Sequence, residues 1–438
     1  MRRMLAAVAA IAVLASMPVS AQTVPATQST DDVLYTVRQG DTLIGLAKRG
    51  FKRNIDYLAA QRLNKVANPR ALRPGSVLRL PVRLLRTQPV GARIIAFRGA
   101  AMVNGAAARV GMAVAEGMEL RTGADAFLAL ELADSSLLTL PSRSQIKVVD
   151  LHRVVLTGNV MKRFMLTGGR SETEAQPIRR GDSFEVRTPL SVSAVRGTRF
   201  RVSLVEGTEG ASTSVLEGKV AVAGGTKSVA VPAGLGVLAS TQGPGTPVPL
   251  LPRPTLRDPD RLQDEERVTF RMEPLQGAMR YRVQLSTDAG FVDTFAENDA
   301  ATPEIGFAGV PNGSFFARAT ALSQEGIEGF PVVQSFERRQ NNITAEAGEI
   351  DDCPVQRCLR FRWRVGGEGE RRFRFQISAS PDGVPIIDQT EMTGSEIVLT
   401  DLPGGIYYWR VESSLIEGGR RQSKWSDQQE LRVAPASR

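Results

Sequence analysis

Hydrophobic and polar positions follow two different periods along this chain. Between residues 33 and 82 apolar residues recur three and four apart, so that Leu43, Leu46 and Ala47 share one helical face and Ile55, Leu58, Ala59 and Leu63 share another. The pattern predicts a strand at 34–37, helices at 42–48 and 55–63, and a strand at 77–80. That is a βααβ unit in which a two-helix layer covers a small sheet. From residue 91 the period changes to two. Short alternating runs at 94–97, 127–132, 137–140, 145–149, 184–187, 199–204, 213–216 and 219–222 are separated by Gly, Asp and Ser turns, which predicts an all-β domain over 91–240. Residues 123–126 (Gly-Ala-Asp-Ala) and 134–136 (Asp-Ser-Ser) read as hairpin turn chemistry.

Residues 243–254 hold five prolines and two glycines, a composition that predicts a stiff, extended spacer between domains. An internal repeat lies beyond it. Tyr281-Arg-Val-Gln-Leu-Ser returns as Phe373-Arg-Phe-Gln-Ile-Ser, and Pro311-Asn-Gly-Ser-Phe-Phe returns as Pro403-Gly-Gly-Ile-Tyr-Tyr, both at an offset of 92 residues. Two register-matched blocks at one offset mean a duplicated domain, here 255–338 and 345–437, each the size of a β-sandwich. Gly and Pro together make up 66 of 438 residues, which also favours short strands and turns over long helices. The expected fold class is therefore mainly β and multidomain.

The first 21 residues read differently. Arg2 and Arg3 precede an uncharged run at 5–15, followed by Pro18 and the small-residue end Val19-Ser20-Ala21, the layout of a secretory leader cut after Ala21 to leave Gln22. The apolar run is short of the roughly 20 residues that cross a bilayer, and no cysteine near Gln22 offers a lipid attachment point. The expected product is a soluble periplasmic protein with no transmembrane segment in the mature chain. After the leader, 22–32 reads as a flexible polar segment. Charge then becomes informative: 33–86 holds twelve Lys or Arg against Asp41 and Asp56 only, while the whole chain carries 55 basic and 46 acidic residues. In an exported protein that basic module points to an anionic wall or membrane surface rather than to nucleic acid.

The candidate chemistry is sparse. One histidine, His152, and two cysteines, Cys353 and Cys358, cannot supply the several ligands of a zinc enzyme, so no metal and no cofactor is expected. His152 sits in an alternating strand with no acid–base partner beside it, which reads as a structural role. No Cys/His or Ser/His arrangement is visible; a carboxylate pair of the glycosidase type is the enzyme option that composition leaves open. Cys353 and Cys358, an even and close pair in an exported chain, suggest a disulfide, with two reduced thiols as the alternative.

The βααβ segment, YTVRQGDTLIGLAKRG followed by IDYLAAQRLNKVANPRALRPGSVLRLP, resembles the LysM module: an opening Tyr-Thr-Val, a Gly-Asp-Thr-Leu turn, an Asn ending the second helix and a Pro-Gly before the last strand. The resemblance implies binding of N-acetylglucosamine-containing glycan, here peptidoglycan. It places a shallow groove at Gly40, Asp41, Thr42 and Leu43 on one side and Asn64, Pro69 and Leu72 on the other. Asp41 or Thr42 also fits as the N-cap of the first helix. The arginines at Arg49, Arg53, Arg62, Arg70 and Arg73 depart from the family pattern and bring the carboxylates of stem peptides into play beside sugar.

The all-β segment resembles the FecR family through Thr188-Pro189, Arg196-Gly-Thr-Arg-Phe200 and Glu217-Gly-Lys-Val220. Members are best known in envelope signalling, where a membrane span joins the domain to a sigma-factor-binding region; neither of those parts is visible here, so the resemblance implies an unidentified envelope or membrane protein as partner. Its fold is open between a sandwich and a solenoid-like stack. The duplicated domains resemble fibronectin type III-like modules, with Trp363, the strand from Phe373, the strand from Tyr407 and Trp425-Ser426 as markers in the second copy. In the first copy Phe270 or Met272 replaces the early Trp and Phe330 the late one. Arg410 is expected to stack on Trp425. The sequence thus favours a non-enzymatic protein that binds wall and protein partners, with a cell-wall glycan hydrolase or an accessory to one as the alternative.

Overall fold

The computed structural model of the chain describes residues 32–435 apart from 206–209, 259–260, 352, 354–356 and 418. The expected leader and its cut after Ala21 lie outside the described residues. Among the described residues no helix is long and apolar enough to cross a membrane.

The first unit is built from β1 (Asp32–Thr36), α1 (Leu43–Gly50), a 3-10 turn (Asn54–Asp56), α2 (Tyr57–Leu63) and β2 (Val77–Pro81). β1 and β2 pair antiparallel with Tyr35 opposite Leu78, and Val33, Tyr35, Leu43, Leu46, Leu78 and Leu80 form the core between sheet and helices. The second helix departs from the expected face. It buries Ala60 and packs Tyr57 against the core, whereas Ile55 and Leu63 are about half exposed and Leu58 is also exposed. The Arg53–Asp56 ion pair closes the 3-10 turn ahead of it, so the helix starts later than the periodicity suggests and is under two turns long.

The unit does not close its core alone. Val154, Leu156 and Met161, from the all-β domain, pack into the same cluster as Phe51 and Leu85. Contact there is so close that a Cβ on Gly50 would lie 2.5 Å from the Cβ of Leu156.

From Thr87 to Pro249 the chain passes back and forth between two facing ten-stranded sheets whose spatial order largely follows the sequence. One sheet includes Ala92–Arg98, Phe127–Leu132, Leu137–Leu140, Arg170–Ala175, Thr198–Val205, Gly210–Glu217 and Leu235–Ser240. The other includes Glu119–Thr122, Gln145–Val154, Val160–Gly168, Ser183–Arg187, Val192–Val195, Lys219–Gly224 and Lys227–Pro232. The two expectations merge: it is a sandwich assembled by solenoid-like progression. Leu128, Leu130, Ile146, Phe164, Phe184, Phe200 and Val220 fill the space between the sheets. Val160–Gly168 and Ser183–Arg187 pair in parallel, because the chain crosses to the other sheet between them.

The proline-rich stretch read as a spacer is instead tied down. Gly243–Pro244 and Val248–Pro249 both pair with Leu235–Ser240, and the Leu250 N–H donates to the Gly234 carbonyl at 2.9 Å. Prolines are tolerated because these are edge positions of the sheet.

Two sandwiches follow, one of three- and four-stranded sheets, the other of three- and five-stranded sheets. Their strand registers repeat the sequence offset: Tyr281 lies opposite Ala321 and Val283 opposite Ala319, as Phe373 lies opposite Ser413 and Phe375 opposite Val411. Phe270 and Met272 are both in the first core, whereas Phe330 leaves it and joins Leu216, Leu250 and Ile327 at the junction with the all-β domain. In the second core Phe361 meets Phe375 and Trp409 edge-on, with ring centroids 4.9 Å apart in each pair. The Arg410 guanidinium lies 4.3 Å from the centre of the Trp425 ring. Cys353 and Cys358 are joined as a disulfide, with Cα atoms 5.6 Å apart.

The first sandwich docks on the all-β domain through buried charge. Ser171, Thr173 and Ala175 point between the sheets, so Arg170 and Glu172 point outward from the same strand, as Arg199 and Arg201 do from the next. Glu172 accepts two bonds from the Arg318 guanidinium at 3.0 and 2.7 Å, and Arg201 lies 3.4 Å from Glu328. Glu328 in turn takes Arg282 at 2.8 Å and the Thr320 hydroxyl at 2.9 Å, while Arg170 pairs with Glu297. Burial opposes the charge of Glu172, but the neighbouring Arg318, Arg201 and Arg199 outweigh it and push its carboxyl down to about 2. Glu328 is held low by Arg201, Arg282, Arg170 and Arg318 against the same opposing effect of burial.

Removing one member leaves its partners charged and buried. Glu172→Ala is expected to cost about 3–5 kcal/mol in denaturant unfolding, against less than about 1 kcal/mol for Glu131→Ala at the exposed Arg93 pair. Because the folded-state value of Glu172 is depressed, its contribution is complete above the ordinary 4.5 and is lost as pH falls towards about 2. The unfolding midpoint of the native protein should fall more steeply with acid below that ordinary value than the midpoint of Glu172→Gln.

Candidate glycan-binding groove

The loop between β1 and α1 is organised by Asp41. Its carboxylate accepts from the Tyr35 hydroxyl at 2.7 Å and the Arg38 N–H at 2.8 Å, and it pairs with the Arg49 guanidinium. Burial disfavours its charge, but these three donors outweigh burial and hold the carboxyl below its ordinary range. Burial and the bond to Asp41 together raise the Tyr35 hydroxyl. Gly40 makes the turn possible with φ of +81°, a conformation costly for other residues. Thr42 is the N-cap: its backbone is extended and its Oγ1 accepts from the Gly45 N–H at 2.9 Å. Of the two candidates for that role, Thr42 holds it and Asp41 ties the turn to α1.

The second wall begins where α2 ends. Lys65 takes φ of +51°, the Val66 N–H donates to the Gln61 carbonyl at 3.0 Å and the Lys65 N–H to the Arg62 carbonyl at 3.2 Å, which closes the helix in a Schellman motif. Asn64 is the C-cap residue. Its amide nitrogen donates to the carbonyls of Ala60 and Arg79, both at 2.8 Å, and its oxygen accepts from the Arg79 N–H at 2.7 Å. Further on, the Leu43 N–H donates to the Pro69 carbonyl at 2.8 Å, which joins the two walls directly.

The structure therefore brings the Gly40–Leu43 turn and Pro69 together. The named residues divide by what they have left to offer: Asp41 and Leu43 are buried, Thr42 caps the helix, and the Asn64 amide is committed to the backbone. Gly40 is exposed, and Pro69 and Leu72 are half-buried. Beside the expected residues stand Ile44, half-buried on the first turn of α1, and exposed Asn68 and Ala71 next to Pro69, which the family motif does not single out. Of the arginines, Arg49 and Arg53 are engaged by Asp41 and Asp56, whereas Arg70 and Arg73 are exposed without a carboxylate partner among the described residues.

His152 does have acidic neighbours: Asp150, two residues before it on the same strand, and Glu116, brought in from 36 residues away. Its Nδ1 lies 2.5 Å from Glu116, with Asp150 at 3.9 Å, and these three are the one group among the described residues whose donor atoms approach as metal ligands do. The carboxylates are already used: Glu116 also accepts from the Leu151 N–H, and Asp150 takes Arg163 at 3.1 Å. The arrangement is a hydrogen-bonded clasp beside the junction with the first unit, where His152 faces Pro89.

Comparison with known families agrees with this division. The family described as LysM domain matches residues 35–81, and the family described as FecR protein matches residues 118–221. No curated protein matches. Two crystal structures of a candidate anti-sigma factor from Parabacteroides distasonis are similar over 30% of this chain and 57% of theirs, at 17% and 18% identity and a TM-score of 0.25. A two-domain fibronectin type III segment of chicken tenascin is similar over 41% of this chain and 99% of its own, at 13% identity and a TM-score of 0.21. The chain carries a LysM domain and a FecR-type domain, followed by two β-sandwiches of repeated register. Both families are non-catalytic and typical of exported envelope proteins.

Thr42 and Asn64 are expected to act through the fold. Thr42→Ala should lower stability by about 1 kcal/mol in thermal unfolding, with Thr42→Ser close to the native protein. Asn64→Ala, which strips partners from both α2 and β2, should cost more.

Proposed function

We propose that this protein is a non-enzymatic periplasmic component that attaches to peptidoglycan through its LysM domain and presents its FecR-type and sandwich domains to an envelope or membrane protein, in signalling or scaffolding. The observation that carries the reading is the opposite placement of two surfaces on α1. Its N-terminal end meets the Gly40–Leu43 turn and the Pro69 loop, while its C-terminal end, at Gly50 and Phe51, is packed against the FecR-type domain. The helix is about 12 Å long, so the groove stays open to a glycan strand while the module is fixed at its other end.

In this reading the glycan lies over Gly40, Pro69 and Leu72, with Asp41, Thr42, Leu43 and Asn64 shaping the loops beneath it. Arg70 and Arg73 face the carboxylates of stem peptides. The protein turns nothing over.

The test is sedimentation of the chain from Gln22 onward with purified peptidoglycan. Chitin oligomers, which are uncharged, should release it, and Arg70→Glu with Arg73→Glu should weaken binding by about tenfold at low salt and by less at high salt. Binding that ignores chitin oligomers and vanishes in salt would replace sugar recognition with charge. Cleavage of peptidoglycan, lost on changing one Asp or Glu, would replace the whole reading with a hydrolase.

A further inference from the structure

A cleft of about 600 Å³ opens where the FecR-type domain meets the first sandwich, away from the LysM groove. One wall is a pair of turn tips, carrying Asp125, Ser142 and Arg143; the other is the sandwich, with Arg267, Phe295 and Phe307 among its lining residues. Within the sandwich, Thr294–Ala300 is an edge strand. It pairs with Arg280–Ser286 on one side, and along its other side the cleft runs. An unpaired strand edge is a template for another extended chain.

The charges of the cleft are unevenly satisfied. Glu297 is taken by Arg170 of the FecR-type domain and by Gln284 at 2.7 Å, and Asp299 by Arg280 at 2.8 Å, so both acids of the edge strand already have cationic partners, and the remaining acid of the lining is exposed Asp125 on the turn-tip wall. The two cationic side chains have no carboxylate. Arg143 is exposed with no side-chain partner among the described residues, and the guanidinium of exposed Arg267 makes one long contact, 3.4 Å, to the Gly306 carbonyl. The Ser142 hydroxyl is buried in the same wall without a hydrogen-bond partner. Asp125 and Arg143 both hold positive φ, +48° and +54°, at the turn tips that form this wall.

We propose that this cleft docks an extended acidic segment of a partner protein, which adds as a strand to the free edge of Thr294–Ala300 and places its carboxylates on Arg143 and Arg267. Apolar side chains alternating with the acids meet Phe295 and Phe307. The two arginines come from different domains, so the site exists only while the buried ion pairs hold those domains together. The inference rests on the reading of these domains as protein-binding and is independent of wall attachment.

The test uses the purified chain from Gln22 onward and a fluorescent peptide of alternating Val and Glu, followed by polarisation at near-physiological salt. Saturable binding is expected, with an alternating Val and Lys peptide not binding. Arg143→Glu with Arg267→Glu, both exposed and outside the buried network, should weaken binding by at least about tenfold while leaving the unfolding midpoint unchanged. Methylating alternate backbone nitrogens of the peptide should abolish binding if it pairs as a strand. No saturable binding, equal binding by the double variant, or equal binding by the methylated peptide would each overturn the proposal. The same preparations, sedimented with peptidoglycan, show whether wall attachment survives a failure here.

Discussion

The arrangement of the chain depends on a cluster of guanidinium and carboxylate groups removed from water at one interface. Arg170, Arg199 and Arg201 from the FecR-type sheet meet Glu297, Glu328, Arg282 and Arg318 from the sandwich, with Glu172 at the centre of the exchange. Such pairs are poor sources of net stability, because each ion gives up hydration before it gains its partner. What they supply is direction. Arg318 reaches both Glu172 and Gln284, and a slip of one residue in either strand would turn these groups to the wrong face and strand them in a dry interface. The apolar part of the junction, Leu216, Leu250, Ile327 and Phe330, is small and would not by itself choose among sliding positions.

That constraint explains what the sequence could and could not disclose. Period-two alternation located eight strands of the FecR-type domain where the inward face is apolar and passed over others, Val160–Gly168, Arg170–Ala175, Val192–Val195, Lys227–Pro232 and Leu235–Ser240 among them, while the 92-residue offset marked a duplication whose copies share one paired register. The outward face of Gly210–Glu217 carries Ser212 and Ser214, polar residues that are nonetheless buried under the sandwich. A docking surface made of Arg, Glu and Ser is indistinguishable in one dimension from an exposed one. The proline-rich stretch misled for a related reason: composition reports stiffness, and cannot tell an extended free spacer from an extended edge strand.

The LysM segment shows the converse limit. Its turns were legible because Gly40, Thr42 and Asn64 each meet a local demand: positive φ, an N-cap, and a C-cap that also ties two backbone segments. Those demands are made by the fold, so the motif that marks the family is largely structural, and surface available for ligand falls on less distinctive neighbours such as Asn68, Ala71 and Arg70. For His152 the local signal, Asp150 two residues before it, is the weaker of its two contacts. Its partner Glu116 lies 36 residues away and is brought in by the crossing between sheets.

Continuity of packing also decides how a multidomain chain of this kind must be dissected. A LysM domain is commonly pictured as a bead on a string, and here the bead shares its core with the next domain through Val154, Leu156 and Met161. Cutting after residue 86 would expose Phe51 and Leu85, and deleting 91–240 would remove their cover, so the behaviour of either truncation would report a destabilised module rather than an isolated domain. The second junction behaves alike, since separating the FecR-type domain from the sandwich strands buried charge on both sides. With two such junctions, the LysM domain, the FecR-type domain and the first sandwich are held on one packed body. A flexible tether would raise the local concentration of its domains over a volume set by linker length. A packed junction instead gives each domain one defined direction relative to its neighbours, so that their surfaces are fixed in orientation and not only in proximity.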